Sequence, residues 1–293
     1  MRNIRFFLAG IALLFAACSN QPEIDNQVNN NTFARVRVHV GGFNVSQEEF
    51  SPTRAAQDVA DYDGVSSITL AFYASNGTEV VKTTQSKNDA HFGEFECSLP
   101  MGTYTMVAVA YTTKDASPFV LTSATEAAYT GLHAYETFTY TQAVNISNTN
   151  AVDISATLNR VVSMLTVVST DGKTADVSNV RMTFSAGGKD FNPTTGLAIT
   201  NTGFANTVGN SAAVGATSAS STCLFLATDE QTMDVTIETL NADGAVLFSK
   251  TVPNVSFQRN RKTILTGAMY TNDAIGGTFK VETAWLADEN MVF

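Results

Sequence analysis

The residues able to do chemistry in this chain are few and scattered. Three histidines, His39, His91 and His133, have none of the close spacings by which imidazoles share a metal ion, and no His-Glu-x-x-His segment is present. Asp58, Asp61 and the Asp63-Gly64 pair faintly outline a calcium loop. The bidentate glutamate that such a loop needs downstream is missing, so a solvated acidic loop is expected. Neither a Gly-x-Ser-x-Gly elbow nor a phosphate-cradling glycine loop occurs. Cys97 and Cys223 lie far apart in different halves, and two small buried thiols are expected in place of a disulfide. Trp285 alternates with Phe279 and Val281, the pattern of a core strand; exposed, it would be a sugar-stacking platform. These residues give no reason to expect an enzyme, a metal site or a cofactor.

Cys18 is the exception. Arg2 and Arg5 precede an apolar run over residues 6–15, which narrows to Ala16-Ala17 just before the thiol. Positive flank, short greasy core and small residues are the order an export signal needs. With Ala16 and Ala17 the apolar stretch has about 12 residues, where a spanning helix needs roughly 20, so residues 1–17 target the chain without spanning a membrane. Leu14-Phe15-Ala16-Ala17-Cys18 resembles the bacterial lipobox, with Phe15 where a smaller residue is usual. That resemblance implies a diacylated, then N-acylated, Cys18 as the first mature residue. Two or more acyl chains anchor stably where one does not. The alternative is a plain secretory signal with a chance cysteine.

Removal of residues 1–17 takes away Arg2 and Arg5 and no acid, leaving the mature chain two charges more negative than the precursor's −10. A nucleic-acid partner is not expected, because phosphate contacts need clustered Lys and Arg. The 44% hydrophobic content is ample for real cores, and the length suits two domains. Residues 18–32 are polar with hardly an apolar anchor. They read as a flexible tether that holds the fold roughly 20 Å from the lipid.

From Phe33 onward the pattern is strand after strand. Arg35-Val36-Arg37-Val38-His39-Val40 alternates strictly, with Val36, Val38 and Val40 on one face. Further β-rich runs follow at 65–74, 80–84, 92–99, 103–112 and 137–146, then at 161–169, 180–185, 223–227, 235–240, 245–251, 263–270 and 278–285. Only 126–133 and 57–61 suggest a short helical turn. Asn76-Gly77 and Asp243-Gly244 tolerate the positive φ of tight hairpins, and their flanks match between halves: Ile68-Thr69-Leu70 with Val235-Thr236-Ile237, Val80-Val81 with Leu247-Phe248. The chain therefore reads as all-β, with two similar sandwiches over 33–152 and 153–293. The region 187–222 is expected to be loops with one or two weak strands.

The alternating first strand, Pro52-Thr53-Arg54-Ala55, the acidic loop and Ile68-Thr69-Leu70-Ala71-Phe72-Tyr73 with Asn76-Gly77 resemble the opening of fimbrillins, the subunits of type V pili of Bacteroidota. Met101-Gly102-Thr103-Tyr104 is similar to the Gly-x-Tyr strand of that family, and Leu158-Asn159-Arg160-Val161 to the start of its second domain. Arg259-Asn260-Arg261-Lys262, Phe279-Lys280-Val281 and Trp285 resemble its end. The resemblance implies tandem transthyretin-like sandwiches and assembly by strand exchange. A trypsin-like, arginine-specific protease would cut after Arg54, leaving Ala55 as the new N-terminus. The first strand, carrying Val36, Val38 and Val40, would then give way to a segment of another fimbrial subunit.

A cut at Arg54 would also release the chain from Cys18 and the outer membrane, so cleavage and permanent anchoring exclude each other. Only eight residues follow Trp285, and Asp288-Glu289 interrupt them, which departs from a long donor strand. A cut chain is expected at the tip or in an accessory position of the fimbrium, contributing to adhesion through an unidentified receptor; an uncut one is expected as an anchor. A surface glycan- or ligand-binding lipoprotein is the reading of a different class. The pilus reading requires residues 36–40 to form a detachable edge ribbon; that ribbon in the middle of a sheet with neighbours on both sides would remove it.

Overall fold

The computed structural model describes residues 33–44, 57–59, 62–114, 118–271 and 279–283, and all regular structure among them is β. Cys18, Arg54, Ala55, Asp61 and Trp285 lie outside the described residues. The first half carries β1 (Phe33–Asn44), β2 (Gln57–Asp58), β3 (Ser67–Ala74), β4 (Glu79–Ser86), β5 (Glu94–Pro100), β6 (Gly102–Tyr111), β7 (Phe119–Ser123), β8 (Glu126–Tyr129), β9 (Thr137–Ile146) and β10 (Val152–Arg160). The second carries β11 (Ser163–Ser169), β12 (Asn179–Phe184), β13 (Asp190–Asn192), β14 (Leu197–Ala198), β15 (Phe204–Gly209), β16 (Ala219–Leu224), β17 (Glu230–Leu240), β18 (Val246–Gln258), β19 (Lys262–Gly267) and β20 (Lys280–Thr283).

The largest sheet has eight strands in the order β2-β1-β10-β9-β6-β3-β4, with β5 also on β1. It folds over on itself. β10 meets β9 only through Asn159 and Arg160, so β5, β1 and β10 form one layer and β9, β6, β3 and β4 the other. Val36, Val38, Val40, Leu99 and Leu158 from the first layer pack on Ile68, Leu70, Phe72, Met106 and Phe138 from the second. The second half stacks the sheet β16-β11-β19-β20 on the sheet β15-β12-β17-β18, around Leu165, Met182, Phe184, Val235, Ile237, Phe257 and Leu265.

The two matched hairpins form as expected. Gly77 and Gly244 take φ of 83° and 82°, and Asn76 and Asn241 side chains accept from the backbone N–H of Thr78 and Ala245 at 3.0 and 2.8 Å. Each hairpin also pairs threonine hydroxyls across its strands, Thr69 with Thr84 at 2.8 Å and Thr236 with Thr251 at 2.9 Å.

Three sequence expectations change. Residues 126–129 are strand β8, not a helical turn, and Gln57-Asp58 pair with β1 as β2. Region 187–222 contains β13, β14, β15 and β16. The two halves also share a fourth sheet, β14-β13-β8-β7, joined by pairing of Asp190 with Ala128 and Phe191 with Ala127. Beneath it lies a third core of Tyr73, Val107, Val109, Tyr129, Val162, Phe191 and Phe225. Hence β3 and β6 are apolar on both faces, and the described residues form one compact unit. The border expected between 152 and 153 falls at the start of β10, which completes the first sheet; the change of core comes after Arg160.

Candidate functional site: the seat of the first strand

β1 is the strand that the sequence reading singles out, and its position differs from the edge ribbon that the exchange route requires. On one side it runs parallel to β10, from Val36 opposite Val152 to Asn44 opposite Asn159, with a bulge between Val40 and Gly42. On the other side Phe33 to His39 run antiparallel to β5, and Gly42 and Phe43 meet β2. The strand is internal. The reason is chain order: β5 and β10 both return to the first layer and close on β1 from either edge, and β2 covers its far end. Beyond the end of β5, Val40 N–H donates to the carbonyl of Gly93 at 2.8 Å. Gly93 has φ 93° and a Cβ there would stand 3.0 Å from the Val40 carbonyl oxygen, so this approach needs glycine.

The inward face is dry. Ala34, Val36, Val38, Val40 and Phe43 are all 0–1% exposed. Full burial of each larger side chain contributes roughly 1.5–3 kcal/mol. Phe43 ends the row against Phe138 and Tyr62, with ring centroids 4.8 and 5.4 Å away.

The outward face is charged and matched. Arg35 pairs with Glu96 of β5. Arg37 Nε lies 2.6 Å from Asp153 of β10, and His39 Nδ1 lies 2.5 Å from Glu94 of β5. The hydrogen bond from Arg35 holds the Glu96 carboxyl below its usual range. Cys97, opposite Val36, has its thiol pushed up to about 11 by burial and the nearby Glu96 charge.

Below Phe43 a buried polar node ties the halves together. Arg160 Nη2 lies 2.5 Å from Glu136 Oε1 and donates to Tyr62 Oη at 2.9 Å, while Nη1 donates to Asn260 Oδ1 at 3.1 Å. Its guanidinium also sits 5.0 Å from the Phe138 centroid. Tyr62 donates to Glu136, and burial above all, with the Glu136 charge, raises the Tyr62 pKa. An arginine at an inward position of an alternating strand was the signal for this node.

Of the other sequence candidates, His39 sits on β1, while His91 is exposed at a positive φ of 59°. The His133 ring lies 6.0 Å from Tyr135. Asp63 pairs with Lys87 at 2.7 Å. Cys97 and Cys223 are both free. Among the described residues no group of three His, Cys, Asp or Glu is placed to hold a metal ion. Sequence reasoning missed Glu94, Glu96 and Asp153. Their trace was present: Glu94-Phe95-Glu96 alternates acids with the period at which Arg35-Val36-Arg37 alternates cations.

Residues 34–290 match the profile of a family of unknown function, DUF6562. No curated protein matches the sequence. Among solved structures the chain is similar to a candidate adhesin from Bacteroides ovatus, with TM-score 0.52 and 13% identity over 92% of this chain and 96% of that one. The fimbrial anchor protein Mfa2 from Porphyromonas gingivalis gives TM-score 0.51 and 12% identity over 86% and 98%. A candidate cell adhesion protein from B. ovatus gives 0.50 and 12% over 88% and 100%. At these identities the likeness is one of fold, and the fold is fimbrillin-like.

Proposed function

Because the chain belongs to the DUF6562 family and has the fold of fimbrial proteins, we propose that it is a non-enzymatic component of cell-surface fimbriae, tethered to the outer membrane through Cys18 and retaining its first strand as an anchor does. The observation that carries this reading is the pairing of β1 along both edges. Five inward side chains bury at 0–1% exposure as well, so the strand is part of the sandwich and does not peel away from an edge. A retained β1 keeps the fold joined to Cys18 and thus to the lipid. The test is mass spectrometry of the mature N-terminus from cell-attached protein. An acylated Cys18 followed by an uncut Arg54 is expected; a population beginning at Ala55 would refute anchoring.

One observation favours a second reading, a tip or accessory subunit assembled by strand exchange. The only stretch of chain between β1 and β2 is 45–56, which contains Arg54. A cut there by an arginine-specific protease would leave β1 held by non-covalent contacts alone. Its departure would open a groove with an unpaired ladder on each side, which another strand fills by β-augmentation. In this reading displacement breaks the ladders of β1 with β10 and with β5.

A further inference from the structure

The outward row of β1 has a property the exchange reading does not require. In a chain with only 15% charged residues, three basic or titratable side chains, Arg35, Arg37 and His39, stand at alternate positions. Each is paired with an acid on a neighbouring strand: Glu96 and Glu94 on β5, Asp153 on β10. Apolar side chains give a seat depth, but any alternating strand with the right volumes satisfies it. Charge is what distinguishes one such strand from another, because opposite charges across a ladder attract and like charges facing each other repel.

We infer that the seat of β1 is an acid-rimmed groove selective for a strand with basic residues at alternate outward positions, and that it rejects residues 280–293 of a second copy of this chain. This rests on the exchange reading. Without β1, Glu94, Glu96 and Asp153 line both rims of one groove with no cation of β1 to meet them. A basic, alternating strand of another protein restores all three pairs. Residues 280–293 of this chain bring Glu282, Asp288 and Glu289 against a single Lys280, so that segment offers the groove charge of its own sign. Filling of the groove by residues 280–293 of a copy is therefore disfavoured against a basic, alternating strand.

The experiment uses the full chain with a protease recognition sequence inserted between residues 44 and 57, cut after folding so that both pieces stay together. The cut chain is taken through denaturant, and labelled peptides compete with β1 for the seat as it refolds: residues 33–44, the same peptide with R35E and R37E, and residues 280–293. Capture is read by gel filtration and fluorescence anisotropy. Exposed pairs are individually weak, yet reversing two of them turns attraction into repulsion. The reversed peptide is expected to be captured roughly tenfold less well at low salt. The gap should close at about 1 M salt, where the screening length is about 3 Å. The 280–293 peptide should not be captured, and a chain carrying E94R and E96R should prefer the reversed peptide. Equal capture of native and reversed peptides at low salt overturns the inference while leaving exchange standing. Capture of neither overturns exchange itself, and the inference with it. Should the E94R/E96R chain fail to fold, the peptide comparison decides alone.

Discussion

Truncating Val38 to alanine should cost far more than truncating Val80, although both are valines on β-strands of the same sheet. Val38 is 1% exposed between β10 and β5, whereas Val80 is 38% exposed on the outer strand β4. Loss of two methyl groups from Val38 forfeits about 1.6 kcal/mol of transfer free energy at about 0.8 kcal/mol each. The cavity left between two paired neighbours raises the total to about 2–3 kcal/mol. Val80→Ala should stay within about 0.5 kcal/mol. Extended to Val36, Val38, Val40 and Phe43, the same reasoning gives roughly 6–12 kcal/mol for the apolar row, an upper figure. That is comparable with the whole stability of an ordinary domain. A chain cut within 45–56 should therefore keep β1 through gel filtration and release it only in denaturant. Urea midpoints of the two variants and the elution of the cut chain are the assays. Equal midpoint shifts for Val38→Ala and Val80→Ala, or loss of β1 on simple dilution of the cut chain, would refute the reasoning.

Arg160→Met leaves Glu136 and Tyr62 without their cation in a site where the arginine side chain is 2% exposed, and breaking such a pair costs about 3–5 kcal/mol; thermal unfolding should show it, and a shift no larger than a surface substitution's would deny the node its role. Val36→Cys should form a disulfide with Cys97, its register partner, because paired antiparallel positions lie within disulfide reach. Burial favours the neutral Cys97 thiol, so bridging by an added two-electron oxidant should be slow at neutral pH and faster at alkaline pH; a non-reducing gel of the cut chain reads it, and absence of the link under oxidant would contradict the register. Glu96 titrates below its reference value of 4.5 when folded, so its contribution is complete above that pH and disappears as pH falls through the lower folded value. Urea midpoints should decline below pH about 4.5, less steeply in Glu96→Gln; identical slopes would remove the Arg35 pair from the account.

The alternating strands were legible because one face of each meets water. Arg35 to Val40 spells its inward and outward faces residue by residue, and β9 (Thr137–Ile146) falls where the β-rich run predicts. Strand β10 alternates just as cleanly, with Ile154, Ala156 and Leu158 buried and Asp153, Ser155, Thr157 and Asn159 exposed. The polar run at 145–150 before it led the border to be set at its first residue. Periodicity could not reveal which strands flank β1, since pairing partners are set by how the chain closes on itself. Nor could it find β13 and β14, three and two residues long, which exist because β8 offers Asp190 and Phe191 a ladder. The node at Arg160 depended on an inward arginine meeting Glu136, Tyr62 and Asn260 from three other segments.

The double ladder around β1 also has a mechanical consequence. Any pull on the chain upstream of Phe33 is delivered to the end of a strand stitched along both flanks, parallel to β10 and antiparallel to β5. Tension along that axis loads the rungs together instead of unzipping them in turn, so the molecule meets such a pull with its strongest geometry.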